Sequence, residues 1–138
     1  MQKMIVMAVL LLSGLFANAQ GHIGKWKKVS HISSYAGTTF DSHEALLTQR
    51  PCAAKIIYEI NANNTYRLNA AGSGCDERYR KIQEKLYAES VWTVAGNKIT
   101  IGNKKTPTIG QTYTFSVKGN TMTWTGTDGQ GVITWQRL

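Results

Sequence analysis

The chain has 138 residues, with 16 Lys and Arg against 8 Asp and Glu and a formal net charge of +8. That length suits one domain that buries a core without a metal, and no internal repeat, low-complexity tract or second-domain linker interrupts it. A basic balance can mean nucleic acid or an anionic surface. Here the cations are scattered, and the densest group, Arg78-Tyr79-Arg80-Lys81, sits beside Asp76, Glu77 and Glu84, so the charge reads as solvated surface and a nucleic-acid partner is not expected.

Residues 1–19 have the order of a secretory signal peptide. Met1-Gln2-Lys3 is a short positive start, Met4 to Leu12 an apolar run, Ser13-Gly14 a break, and Ala17-Asn18-Ala19 a small-residue cleavage site. The run is shorter than the roughly 20 apolar residues a membrane span needs. No cysteine follows it, so a lipid anchor on a new N-terminal Cys is not available. Cleavage leaves residues 20–138 as a single domain with no transmembrane segment, placed in the periplasm or outside the cell.

Past the signal, short alternating segments are separated by Gly, Asn and Pro. Residues 23–32 form a first strand carrying Trp26. Residues 54–61 and 65–70 form a hairpin through the turn-rich Asn61-Ala62-Asn63-Asn64. If Asn63-Asn64 are its turn residues, partner numbers sum to 127, and so do 52 and 75. Cys52 and Cys75, the two cysteines of the chain, would then face each other as a disulfide at the open end of the hairpin. A metal pair or redox site lacks the matching CxxC or His/Cys spacing. Residues 89–94 form another strand, and Gly96-Asn97 turns tightly into Lys98-Ile99-Thr100-Ile101. Residues 109–117, 121–125 and 132–137 complete eight strands. Residues 42–48, capped by Asp41 or Ser42, and residues 76–86 have helical features, or are elaborated loops.

Eight short strands in hairpin order, each with one apolar face, predict an all-β fold. An eight-stranded up-and-down antiparallel barrel with one or two short helical insertions leaves no free edge, and the meander order favours it over a two-sheet sandwich.

The chemistry-bearing residues do not assemble a catalytic motif. His22, His31 and His43 lack metal spacing, and Asp41-Ser42-His43-Glu44 reads as a helix cap, not a triad. No phosphate loop or nucleotide fingerprint occurs, so neither an enzyme nor a cofactor is expected and no catalytic or metal-binding residue is assigned. Strand alternation instead points Trp26, Ile56, Tyr58, Ile60, Tyr66, Leu68, Trp92, Val94, Ile99, Ile101, Tyr113, Phe115, Met122 and Trp124 inward, wherever no bulge intervenes.

Gly24-Lys25-Trp26 on the first strand resembles the G-x-W signature of lipocalins, and Arg137 on the last strand stands where lipocalins carry an arginine across that tryptophan. The layout Cys52, Tyr58-Glu59-Ile60, Asn64-Thr65-Tyr66, Cys75, Trp92-Thr93-Val94, Asn97 to Ile101 is similar to small secreted bacterial lipocalin-like domains, which have a similar cysteine pair around the second hairpin. The resemblance covers about residues 23–138, and the charged stretch 76–88 departs from it. It implies a calycin-type barrel closed at one end by a structural Trp26–Arg137 pair. It also implies a small apolar or aromatic ligand inside, with Ile56, Tyr58, Tyr66, Trp92, Tyr113, Phe115, Met122 and Trp124 as candidates for its lining. The alternative is a non-enzymatic binding or inhibitor scaffold with a filled barrel, using its loops and residues 76–88 against a macromolecule; on either reading a monomer is expected. An eight-stranded barrel is wide enough for either.

Overall fold

A computed structural model describes residues 21–127 and 129–138; the export signal read at residues 1–19 lies outside them. The strands are β1 (Gly24–Tyr35), β2 (Thr38–Asp41), β3 (Ile57–Ile60), β4 (Tyr66–Asn69), β5 (Ser90–Ala95), β6 (Lys98–Asn103), β7 (Thr106–Lys118), β8 (Thr121–Thr125) and β9 (Val132–Arg137). Two short helices, α1 (Ser42–Gln49) and α2 (Glu77–Leu86), interrupt them. Strand order is β4-β3-β1-β9-β8-β7-β6-β5, antiparallel throughout. This is the all-β, up-and-down, eight-stranded barrel.

The barrel is nearly closed. Between β4 and β5 a single bridge, Thr65–Val91, joins the ends of the sheet, supported by the Trp92 N–H donating to the Asn64 carbonyl at 2.9 Å. Further along this seam the Arg67 guanidinium spans the gap, donating to the carbonyls of Tyr66, Tyr87 and Ser90 at 2.9, 3.2 and 2.6 Å. One arginine with several donors replaces part of a missing strand ladder.

Three features differ from the sequence expectation. A ninth strand, β2, extends β1 into a hairpin beyond the barrel wall, because Ala36 and Gly37 both take positive φ and make a tight turn. Residues 54 and 55 are not strand: Pro51 starts a 3-10 turn, Pro51–Lys55, before β3. The β3–β4 partners sum to 126, as in Ile57 with Asn69, because the turn carries three residues, Ala62 to Asn64, and Asn64 takes the left-handed conformation. Cys52 and Cys75 are nevertheless joined, with Cα atoms 5.3 Å apart. Their meeting depends on the 3-10 turn and the loop before α2, not on a strand register.

One end of the barrel is filled. Trp26 is fully buried, its indole N–H donating to the His22 carbonyl at 3.0 Å. The Arg137 guanidinium lies 4.3 Å over the Trp26 ring and donates to the carbonyls of Ile23 and Gly21. Gly24 makes this stacking feasible: its φ is +147°, and a Cβ there would come within 2.8 Å of Arg137 Nη1. The His22 ring then plugs the end, edge-on to Trp92 at 4.6 Å and to Phe115 at 5.4 Å. Among the described residues neither ring nitrogen has a partner, and desolvation lowers its pKa, which favours the neutral imidazole. Above it the core continues through Ile60, Ile99, Met122, Trp124, Ile133 and Trp135. A second cluster of Ala53, Ile56, Leu68 and Ala70 packs with Tyr79 next to the disulfide.

The helix caps follow local chemistry. Asp41 accepts from the N–H groups of His43 and Glu44 at 2.9 and 3.1 Å and caps α1. Ser42 Oγ donates to the His31 carbonyl at 3.3 Å, so the Asp-Ser-His cluster is engaged in backbone contacts.

Two stability outcomes are expected. Trp26→Ala should cost about 3 to 5 kcal/mol in urea or guanidinium unfolding, as the loss of a fully buried aromatic does; a variant as stable as the parent would refute the plug. Replacing both cysteines by serine should cost about 3 kcal/mol, the closure entropy of a loop whose ends have a sequence separation of 23. An unchanged midpoint would mean the bridge constrains nothing.

Candidate functional site

Away from the Trp26 end the barrel holds a cavity of about 330 Å³. Tyr66, Tyr87, Tyr113, Trp124 and Trp135 contribute aromatic rings to its walls. Tyr66 and Trp124 stand 6.1 Å apart between ring centres, Tyr113 and Trp124 5.2 Å, and Trp124 and Trp135 4.9 Å. Ile101 and Ile133 complete the apolar wall, while Gln111, Ser33 and the loop residues Gly129 and Gln130 supply polar groups.

The cavity is also basic, and a β-bulge is the reason. On β1, Lys28 pairs with Trp135, but Ser30 pairs with Thr134, so Val29 is an extra residue opposite nothing. Val29 turns outward and is 54% exposed. Beyond it the alternation is reset, and His31 and Ser33 join Lys28 on the inner face in place of Ser30 and Ile32. The Lys28 ammonium lies 5.1 Å from the Tyr58 ring centre and 5.4 Å from that of Trp135. Desolvation lowers its pKa to about 8. Among the described residues it forms no ion pair, and no Asp or Glu lines the cavity. His31 Nε2 meets the Gln130 carbonyl at 2.8 Å; a carbonyl only accepts, so the Nε2 carries the proton.

Two further donors are left over. Among the described residues the buried indole N–H groups of Trp124 and Trp135 have no acceptor, whereas Trp26 donates to the His22 carbonyl and Trp92 to the Asn61 carbonyl. An unmet buried donor costs roughly 1 to 3 kcal/mol, so two in one cavity wall need a reason. The phenols add no negative charge: desolvation raises the pKa of Tyr58, Tyr66, Tyr87 and Tyr113. The Tyr113 hydroxyl is spent on Gln111 Oε1 at 3.1 Å.

Of the eight residues proposed from sequence as lining, Tyr66, Tyr113 and Trp124 border the cavity. The other five serve packing. Ile56 lies in the second cluster, Trp92 and Phe115 hold His22, Met122 is fully buried in the main core, and Tyr58 stacks edge-on to Trp135 behind Lys28. Lys28, His31, Tyr87, Ile133 and Trp135 border the cavity without having been anticipated. For Lys28 the signal was present, since it stands two residues from the inward Trp26. Tyr87 had no such signal, because it reaches the cavity from the end of α2.

The lipocalin-like domain family matches residues 23–124. The chain belongs to that family. The match takes in the Gly24-Lys25-Trp26 signature, both cysteines and Lys28, and the pairing of β8 with β9 brings Ile133, Trp135 and Arg137 into the same barrel. No curated protein and no solved structure matches the chain significantly. The lipocalin-like barrel is a binding scaffold, and its interior here combines aromatic walls with one cation.

Holding that cation should be measurable as a stability cost. Folding favours the neutral amine, so the unfolded chain binds a proton that the folded chain has released between about pH 8 and the ordinary lysine value of 10.5. The penalty is full below that window and fades as pH rises through it. Lys28→Met should therefore be more stable than the parent at pH 7, by roughly 1 to 2 kcal/mol after allowing for solvent in the cavity. The gap should narrow by pH 10 in denaturant titrations. A gap independent of pH would mean that Lys28 is solvated as an ordinary surface lysine.

Proposed function

We propose that this protein is an exported carrier that takes one small apolar or aromatic molecule into the open end of its barrel and performs no chemistry on it. The observation that supports this most is the cavity itself. At about 330 Å³ it is at the small end of ligand sites, with aromatic and aliphatic side chains and several polar groups sharing its walls. The aromatic rings offer broad, stiff contact area at low entropic cost. The Cys52–Cys75 bridge suits an oxidising compartment, in keeping with the signal read at residues 1–19. An almost complete strand ring leaves little free edge, which suits a monomer.

The rival reading, a filled scaffold using residues 76–88 against a macromolecule, has less support. Glu84 accepts from the Ala70 N–H at 3.0 Å, Arg50 ties Asp76 at 2.9 Å and stacks 3.8 Å from the Tyr79 ring, and Tyr87 turns into the barrel. These contacts make α2 a strap across the seam between β4 and β5.

Because Trp124 and Trp135 border the cavity, ligand entry should quench or shift tryptophan fluorescence with a stoichiometry of one per chain. Filling the space by Ile101→Trp should weaken binding at least tenfold while leaving the fold intact by circular dichroism. Native mass spectrometry of protein from its own source should show a bound small molecule. Binding unaffected by Ile101→Trp would place the ligand elsewhere.

A further inference from the structure

Among the described residues, three donors on the cavity's lining side chains have no acceptor: the Lys28 ammonium, which forms no ion pair, and two indole N–H groups. Lys28 extends into it between two aromatic faces, which position an ammonium group but supply no counter-charge. The Trp124 and Trp135 indole N–H groups, buried on two residues that border the cavity, have no acceptor among the described residues, and His31 presents an N–H in place of a lone pair toward Gln130. Among the described residues no carboxylate borders this space.

We propose that the ligand is an organic carboxylate, its acid group held by the Lys28 ammonium with help from the Trp124 and Trp135 indole N–H donors and its apolar body against Tyr66, Tyr113 and Ile133. This assignment rests on the carrier reading and sharpens it. A neutral apolar molecule would leave the ammonium and both indoles unpaired and drier still, so it would pay for their desolvation without return. A carboxylate offers two oxygens with about four acceptor sites, enough for all three donors. Size limits the class further: at close packing, 330 Å³ takes about ten to thirteen non-hydrogen atoms. An arylalkanoic acid fits that limit, and a long-chain fatty acid exceeds it. The positive net charge of the chain adds a favourable field for an anion.

A matched pair of probes tests the charge separately from the cavity. 3-Phenylpropanoate and 3-phenylpropanamide have the same shape and differ in charge. Calorimetric titration of the full domain should give the acid about ten- to a hundredfold tighter binding, the worth of one charged hydrogen bond. Lys28→Met should abolish that preference, bringing acid and amide to the same affinity within about threefold, while Lys28→Arg retains part of it. Unchanged near-ultraviolet circular dichroism and cooperative thermal unfolding at or above the parent's midpoint certify each variant, with Lys28→Gln as a second neutral replacement. Equal affinity for acid and amide in the parent, or a preference for acid that survives Lys28→Met and Lys28→Gln, would overturn the carboxylate assignment and leave the carrier reading standing. Failure of the parent to bind either probe would overturn both.

Discussion

A closed strand ring of this size has to be blocked at one end before it can hold anything at the other, and here the block is a tryptophan under a guanidinium. Trp26 fills the taper, Arg137 covers it, and the carbonyls of Gly21 and Ile23 take up the remaining guanidinium donors. His22, carried on the same N-terminal segment, wedges between Trp92 and Phe115, where desolvation favours its neutral form. This layer fixes the inward parity of β1 and β9. On β9, Ile133 and Trp135 keep the direction that choice sets.

The second determinant is the bulge at Val29. A regular β1 would have sent Ser30 and Ile32 inward and left His31 outside. One extra residue exchanges them and makes the upper barrel polar on one wall. The opposite wall stays aromatic. The result is a cavity with a cation, spare N–H donors and rings, but without an acid among the described residues. Such an interior costs stability in the empty protein, through the desolvated ammonium and the unmet indoles. A site that destabilises its own fold is a feature of binding rather than of packing.

Much of the scaffold was legible in the residues. Hairpin turns at Gly96-Asn97 and Gly119-Asn120, the period-two run Tyr113, Phe115, Val117, and the G-x-W start all point to the barrel, and Asp41 points to the start of α1. The disulfide partners were legible too, although the route to them ran through a hairpin register that the three-residue turn at Ala62 to Asn64 shifts by one. The interior was harder. Large residues such as Trp92 and Met122 look like lining but belong to the plug and the core, because alternation gives the face of a strand and not the height along it. Lys28 was passed over because charge is expected outside; its position two residues from Trp26 is the stronger indicator. Tyr87 reaches the cavity through the tertiary path of α2, which no local pattern encodes.

The four tryptophans provide the most direct test, because two indole N–H groups are already bonded to carbonyls and two are waiting for an acceptor. In a ¹H–¹⁵N spectrum titrated with 3-phenylpropanoate, the Trp124 and Trp135 indole signals should move together and saturate, while those of Trp26 and Trp92 stay in place. Movement confined to Trp26 and Trp92, or no indole movement at saturating probe, would contradict a carboxylate seated in the open end of the barrel.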